Sequence, residues 1–555
     1  MTGVRDPLPG VVYPDPERLK RYVEAGELGE TTLVEALWTS FAANADRIAF
    51  DTDDGTMTYA ALDRDTDRLA AALVQLGLKP LDRALFQSAN SAELLIAIIG
   101  CLKAGLVPVC TLPAHREQEI GFLGNHAEAR VHIVQGDDAK FDLPAFALRM
   151  RAKIPSVEHV ISIRGPARPG MLRMEELITG QDADAARAVV RAIPRDPYQV
   201  AIFQLSGGTS GIPKIIPRMQ NDYLLNATLT IRTLGYRRED VMFNPMPFIH
   251  NACMICFWLP TLLAGATYAI AADMTPAAWA RSFARAKPTY VGLIRALLPR
   301  LDAVVSTVPG ALDSVRAFWS PDASRVVRET YGRPAYAMFG MTEGMNMYCR
   351  EGYPEEALDW TVGRPMSRFD EVRLIEPGTS REVAVGELGE LTCRGPYTLA
   401  GYYKSPARNR EVFPEDGFYR SGDLLMQREI DGELYYAFAG RTKDVIDRGA
   451  EKINCEEIEN AVSTHAAVAG CAVVGMPDPV LGERVCVYLV PSPGRQAPDV
   501  AALQRHMEAM GFAKFKWPER AEAIEELPLT RVGKLDKAVL RADIAERLNR
   551  ERNML

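Results

Sequence analysis

The stretch Leu205–Arg218 reads LSGGTSGIPKIIPR and follows the apolar run VAIF at 200–203. Gly207, Gly208 and Gly211 free the backbone to bring its N–H groups close to a ligand. Ser206, Thr209 and Ser210 add hydroxyl donors, and Lys214 adds a positive charge. Together they suit a polyphosphate. The spacing is neither G-x-x-x-x-G-K-[ST], since no lysine directly follows a glycine in this loop, nor G-x-G-x-x-G. Taken alone, the loop reads equally as a surface turn.

Around this loop, short β-branched runs alternate with helical patterns. DRALFQ at 82–87 is followed by SAELLIAIIGCLKAG, then VPVCTL, then a polar helical stretch, then ARVHIV. The rhythm returns in ATYAIA, TPAAWARSFARA and PTYVGLI. Such alternation predicts parallel-rich sheets covered by helices, an α/β fold. From about Val372 the pattern changes to short strands joined by glycine turns (EVRLIEP, GELGELTCRG, GELYYAFAG), which predicts a small antiparallel unit. After Arg441 a small α+β domain is expected. Its helix is CEEIENAVSTH, its strands VAGCAVVGMPD and RVCVYLVP, and a second helix, a strand at 519–528 and a basic helix follow. The expected domains are 1–441 and 442–555.

The chain has 555 residues, too many for one core, and a net charge of −8, which argues against nucleic acid or an anionic membrane as the main partner. Nine cysteines, scattered and odd in number, suit a reducing compartment such as the cytoplasm. The start lacks an apolar core of the secretory kind. The uncharged run at 252–272 is long enough to span a bilayer. Pro260 and Gly265 interrupt it, and Asp273 follows like a helix cap, so a buried helix and a buried strand are expected.

Further motifs occur in order: FGMTEG (339–344), GELTCRGPYTLAGYY from Gly389, YRSGDL (419–424), GRTKDVIDRGAEKINCEEIE from Gly440, and PLTRVGKLDK (528–537). With the glycine loop, these resemble the adenylate-forming superfamily of acyl- and aryl-CoA synthetases and peptide-synthetase adenylation domains, over nearly the whole chain. The resemblance implies a large core domain and a small mobile lid, with ATP held by Ser206, Gly207, Gly208, Thr209, Ser210, Gly211, Lys214, Thr342, Asp423 and Arg441. It implies Glu343 as a Mg²⁺ ligand, Lys443 as the hinge, and Lys534 as the lysine that reaches the acyl carboxylate during adenylation. The implied chemistry is attack of a carboxylate on the α-phosphorus of ATP, then transfer of the acyl group to a thiol.

IIPRMQNDY (215–223) and the pair His250-Asn251 in FNPMPFIHNACMICFW resemble the aryl-acid adenylating enzymes, the 2,3-dihydroxybenzoate– and salicylate–AMP ligases of siderophore pathways. The resemblance implies an acid pocket of Asn251, Ala252, Cys256, Met338 and Gly340. His250 is either a general base or an aromatic gate beside the adenylate. Cys256, apolar and fairly bulky, suits a ring without a 3-hydroxyl.

The chain departs from the family pattern in several places. Ala252 stands where an aromatic residue is usual and Ala337 where a glutamine is usual. AFWSPDA (317–323) replaces a Gly-Gly-Ala segment, so Phe318 and Trp319 are candidates to line or block the pocket. Ala450 replaces a glycine. Salicylate, a hydroxyanthranilate, a dihydroxybenzoate or a larger bicyclic acid all remain open as substrates. The acceptor is the phosphopantetheine of a separate carrier protein or coenzyme A, and the enzyme is a monomer or homodimer. A fatty-acyl ligase and a non-catalytic binding protein on the same fold are the alternatives.

Overall fold

Parallel strands buried on both faces read as continuous apolar runs rather than alternating ones. Arg83–Gln87, Val107–Val109, Ala129–Val134 and Val200–Leu205 are of this kind, buried almost throughout. In the computed structural model they form the middle of a seven-stranded sheet. Its order is 172–173, 159–162, 129–134, 83–87, 107–109, 200–205, 215–219, parallel except for the last pair. The structure describes residues 3–206, 213–414, 416–448, 451–479, 481–510, 512, 514–530 and 535–553. Of these, residues 443, 447, 451, 452, 552 and 553 are described by backbone alone.

A second, nine-stranded sheet runs in the order 364–365, 346–348, 335–340, 317–320, 290–292, 241–243, 267–269, 48–52, 55–58. Its middle is parallel and its edge pairs are antiparallel. Helices Pro276–Ala286, Leu298–Thr307 and Ser324–Tyr331 cover one face around Phe243, Trp279, Phe283 and Phe318. Strand–helix–strand alternation therefore produces the expected layers.

Chain contacts divide the molecule into two compact units, 1–371 with 393–419, and 372–392 with 420–555. This grouping places 372–392 and 420–441 with the C-terminal segment. The boundary expected at Arg441 concerns a functional hinge and is taken up below as a proposal. In the second unit, strands 419–430 and 433–441 form an antiparallel pair within a four-stranded sheet. A five-stranded sheet contains the long antiparallel pair Val468–Asp478 and Gly482–Pro491. Helices Cys455–Ser463, Val500–Ala509 and Lys537–Asn553 complete that unit, in the expected order.

Two local expectations are corrected, and a third is met with one added detail. The strand expected at 519–528 is only Arg520–Ala523, held parallel to Cys486–Leu489. The helix after Ala272 is capped by Thr275, whose hydroxyl accepts from Ala278 N, while Asp273 supports the turn by accepting from Thr275 N at 2.7 Å. The apolar run at 252–272 is indeed a helix and a strand, Thr267–Ala269, but its helix contains a π-turn over Met254–Trp258. Among the described residues, no helix is long and apolar enough to cross a membrane.

Candidate active site

The glycine loop connects two paired strands. Strands Val200–Leu205 and Ile215–Met219 pair antiparallel, and two bonds close the base of the loop: Ser206 N to Lys214 O at 2.9 Å, and Lys214 N to Ser206 Oγ at 2.9 Å. Gly207, Gly208, Thr209, Ser210 and Gly211 lie outside the described residues. Lys214 stands beside Tyr402, its Nζ 5.7 Å from the ring centre. Burial and the nearby Arg408 lower its pKa, and the charges of Glu343 and Glu411 oppose them.

A second turn carries the carboxylate. Strand Ala335–Gly340 ends in a tight reversal closed by Met341 N to Met345 O and Gly344 N to Met341 O. Gly344 has φ +128°, and a Cβ there would lie 2.0 Å from the Tyr397 carbonyl oxygen, so only glycine fits. This turn presents Thr342 and Glu343. The Tyr402 hydroxyl donates to Glu343 Oε1 at 2.8 Å.

Arg218 ties the hairpin to this turn. Its side chain is fully buried. It donates to the Thr342 carbonyl at 3.0 Å and the Tyr397 carbonyl at 3.1 Å, and it pairs with Asp222 at 3.1 Å. Burial pushes the Asp222 carboxyl up, and Arg218 and the Met219 N–H hold it down. The two turns that carry Lys214 and Glu343 are thus joined through one buried guanidinium.

Of the residues assigned to the acid pocket, Asn251, Ala252 and Cys256 sit on the helical run that begins at Asn251, and Met338 and Gly340 on strand Ala335–Gly340. His250 caps the helical run, with Nδ1 accepting from Ala252 N at 3.2 Å, so that nitrogen is occupied as an acceptor. Asn251 is buried, and its Oδ1 accepts from the Tyr223 hydroxyl at 2.9 Å. That hydroxyl in turn accepts from Gln204 Nε2 at 3.0 Å. With its carbonyl oxygen engaged, Asn251 has its amide N–H groups to offer a ligand oxygen. The π-turn, marked by Leu259 N bonding Met254 O, brings positions five apart closer to one face than an α-helix does, which favours Asn251 and Cys256 sharing a wall.

Cys256 is buried, its thiol pushed up to about 12 by burial, and its Sγ accepts from the Tyr348 hydroxyl at 2.9 Å. Met338 lies opposite Tyr348 in the strand register and Gly340 opposite Asn346. Ala252 is half-buried. Trp319 packs on the same sheet face as Tyr348, with ring centres 6.0 Å apart, and also against Tyr336 and Tyr290. Phe318, one residue away, points to the opposite face and is sealed in the helix-covered core, so it does not line the pocket. Alternation along a strand separates the two.

In the second unit, Asp423 and Arg441 face each other across strands 419–430 and 433–441, with Arg441 Nε 2.9 Å from Asp423 Oδ1. Lys443 lies in the short turn Thr442–Asp444, its side chain not described, and Asp444 of that turn pairs with Arg541 at 2.5 Å. Lys534 lies outside the described residues. Gln204, Arg218 and Tyr402 are not marked as site residues by the sequence alone. Arg218 lies within IIPRMQNDY, but the carbonyls it holds are 124 and 179 residues away, which no local pattern reveals.

Comparison with known proteins agrees with this architecture. The family model described as AMP-binding enzyme matches residues 37–403, and that of the AMP-binding enzyme C-terminal domain matches 457–534. The chain belongs to the AMP-binding enzyme family. It is 34% identical over 543 residues to the 2,3-dihydroxybenzoate-AMP ligase of Bacillus subtilis, covering 97% of this chain and 98% of that protein. It is 35% identical over 534 residues to a salicylyl-CoA synthase / salicylate adenylyltransferase of a Streptomyces species, covering 95% and 96%. The apo structure of MbtA from Mycobacterium smegmatis superposes with a TM-score of 0.71 at 32% identity, covering 96% of this chain and 98% of that one.

Proposed function

We propose that this chain is an aryl-acid–AMP ligase. It activates an aryl carboxylic acid with ATP, releasing pyrophosphate, and passes the aryl group to a thiol for siderophore or other secondary-metabolite assembly. The observation that carries this reading is the relay Gln204–Tyr223–Asn251, which fixes a buried amide that we assign to the acid pocket. A fatty-acyl pocket has no use for such a group. The names of the relatives, which act on dihydroxybenzoate and salicylate, support the same substrate class.

In the first half-reaction the acid's carboxylate oxygen attacks the α-phosphorus and the bond to the β-phosphate breaks. Lys214 and the loop donors stabilise charge spread over the phosphates. Asp423 and Arg441 are assigned to the nucleotide, and Lys534 to the reacting carboxylate. Glu343 fits a Mg²⁺ shared with ATP. It is a single carboxylate with one oxygen held by Tyr402, and among the described residues no group of three or more His, Cys, Asp or Glu forms a cage. That donor set matches an ion taking one or two carboxylates plus substrate phosphates. When bound, the ion supplies charge neutralisation at the phosphates.

In the second half-reaction a thiol attacks the acyl carbon and AMP leaves, with no side-chain nucleophile required. The acceptor is a carrier-protein phosphopantetheine or coenzyme A. Residues 442–555 act as the lid, with Lys443 as the hinge. Free cysteines, all but one of them buried, fit a reducing, cytoplasmic setting.

Pyrophosphate exchange over salicylate, 2,3-dihydroxybenzoate, 3-hydroxyanthranilate, a bicyclic aryl acid and an aliphatic acid tests the reading. Exchange is expected with the hydroxylated aryl acids and absent with the aliphatic one. Ala252→Tyr is expected to narrow the range towards salicylate. Exchange only with aliphatic acids, or with none, overturns it.

A further inference from the structure

We propose that Tyr402 is the positioning residue of the Mg–ATP site, holding the Glu343 carboxylate with its hydroxyl and Lys214 against its ring. This rests on the proposed reading of Glu343 as the metal ligand and goes beyond it.

Tyr402 is 2% exposed and its backbone is pinned on both sides. Its N–H donates to Asn409 Oδ1 at 2.8 Å, and its carbonyl accepts from Asn409 Nδ2 at 3.0 Å. The hydroxyl lies 2.8 Å from Glu343 Oε1 and 2.9 Å from the Tyr419 hydroxyl. A phenol has one proton. Since an ionised carboxylate can only accept, Tyr402 donates to Glu343 and Tyr419 donates to Tyr402. The result is a directional relay, Tyr419 to Tyr402 to Glu343, in which each bond strengthens the next. Tyr419 is itself held by Phe413, ring centres 5.4 Å apart.

The ring does a second task. Lys214 Nζ lies 5.7 Å from its centre, within cation–π range. One side chain therefore orders both the carboxylate at the 341–344 turn and the lysine at the base of the glycine loop. These are the two groups of opposite charge that a metal–polyphosphate complex needs on opposite sides of its charge distribution.

The test is Tyr402→Phe, which keeps the ring and removes the hydroxyl, alongside Tyr419→Phe and Glu343→Gln in the full chain. Binding of MgATP and MnATP without acid is measured by calorimetry, and the Mg²⁺ dependence of pyrophosphate exchange is measured in parallel. Tyr402→Phe is expected to weaken MgATP binding about tenfold, ~1.4 kcal/mol, and to raise the Mg²⁺ requirement by the same factor. The KM for the acid stays unchanged. Tyr419→Phe, which removes only the outer donor, shifts both in the same direction by a smaller factor. A Tyr402→Phe protein with wild-type MgATP affinity and Mg²⁺ dependence, while Glu343→Gln is impaired, overturns the proposal. If Tyr402→Phe does not fold, an unchanged Mg²⁺ requirement in Tyr419→Phe overturns it instead. If Glu343→Gln itself binds MgATP like the wild type, the assignment of Glu343 as the metal ligand is what fails.

Discussion

On the proposed reading, Asn251 gains specificity by having one of its polar atoms already occupied. Its carbonyl oxygen is taken by Tyr223, which is in turn held by Gln204, so the amide cannot rotate without breaking a buried bond whose donor is itself held in place. Losing a hydrogen bond to a buried partner costs about 1–3 kcal/mol. Asn251→Ala is therefore expected to weaken hydroxylated aryl acids by that amount and benzoate by less, read from dissociation constants by calorimetry. Equal weakening of both would show that Asn251 does not sense the ring hydroxyl. On the proposed reading, Cys256 works in the opposite way: its sulfur already accepts from Tyr348, so a ring hydroxyl placed beside it would meet a poor partner that is already engaged.

At the level of elements, the site is two turns joined by a buried charge. The hairpin ending in Lys214 and the 341–344 turn come from different sheets, and Arg218 connects them through the carbonyls of Thr342 and Tyr397. A buried ion pair broken on one side leaves a charge without compensation, a loss of about 3–5 kcal/mol. Arg218→Met is expected to destabilise the chain by this order in urea unfolding. Arg218→Met combined with Asp222→Asn is expected to recover part of the loss, because no charge then remains unpaired. A double variant no more stable than Arg218→Met would mean that the carbonyl bonds, not the Asp222 pair, carry the cost. The π-turn belongs to this scale too. One extra residue in the turn re-aims Cys256, and the apolar run MICFW gives no hint of it.

At the scale of the molecule, the chemistry has two halves and the chain two units. Lys534 lies in the motif PLTRVGKLDK of the C-terminal segment, whereas Lys214, Glu343 and Asn251 belong to the first unit. A residue used in only one half-reaction shows a split phenotype. Lys534→Ala is expected to abolish most pyrophosphate exchange while leaving thioester formation from supplied aryl-adenylate nearly intact. Equal loss in both would remove Lys534 from its assigned role.

Much of the fold was legible along the chain. Apolar runs alternating with helical patterns specify buried parallel strands and their covering helices, because each element must hide its own apolar face. The 341–344 turn was legible for a similar reason: the residues a tight turn needs are local. Three things were decided only by the tertiary structure. Phe318 and Trp319 are adjacent in sequence, yet one faces a helix-covered core and the other an aromatic cluster with Tyr290, Tyr336 and Tyr348, since strand alternation sends neighbours to opposite faces. Arg218 bridges turns more than a hundred residues distant, a partnership fixed by sheet order rather than by any local pattern. Tyr402 stands between Glu343 and Tyr419 because the folded chain brings three separate motifs to one point, where a single buried hydroxyl must satisfy both neighbours.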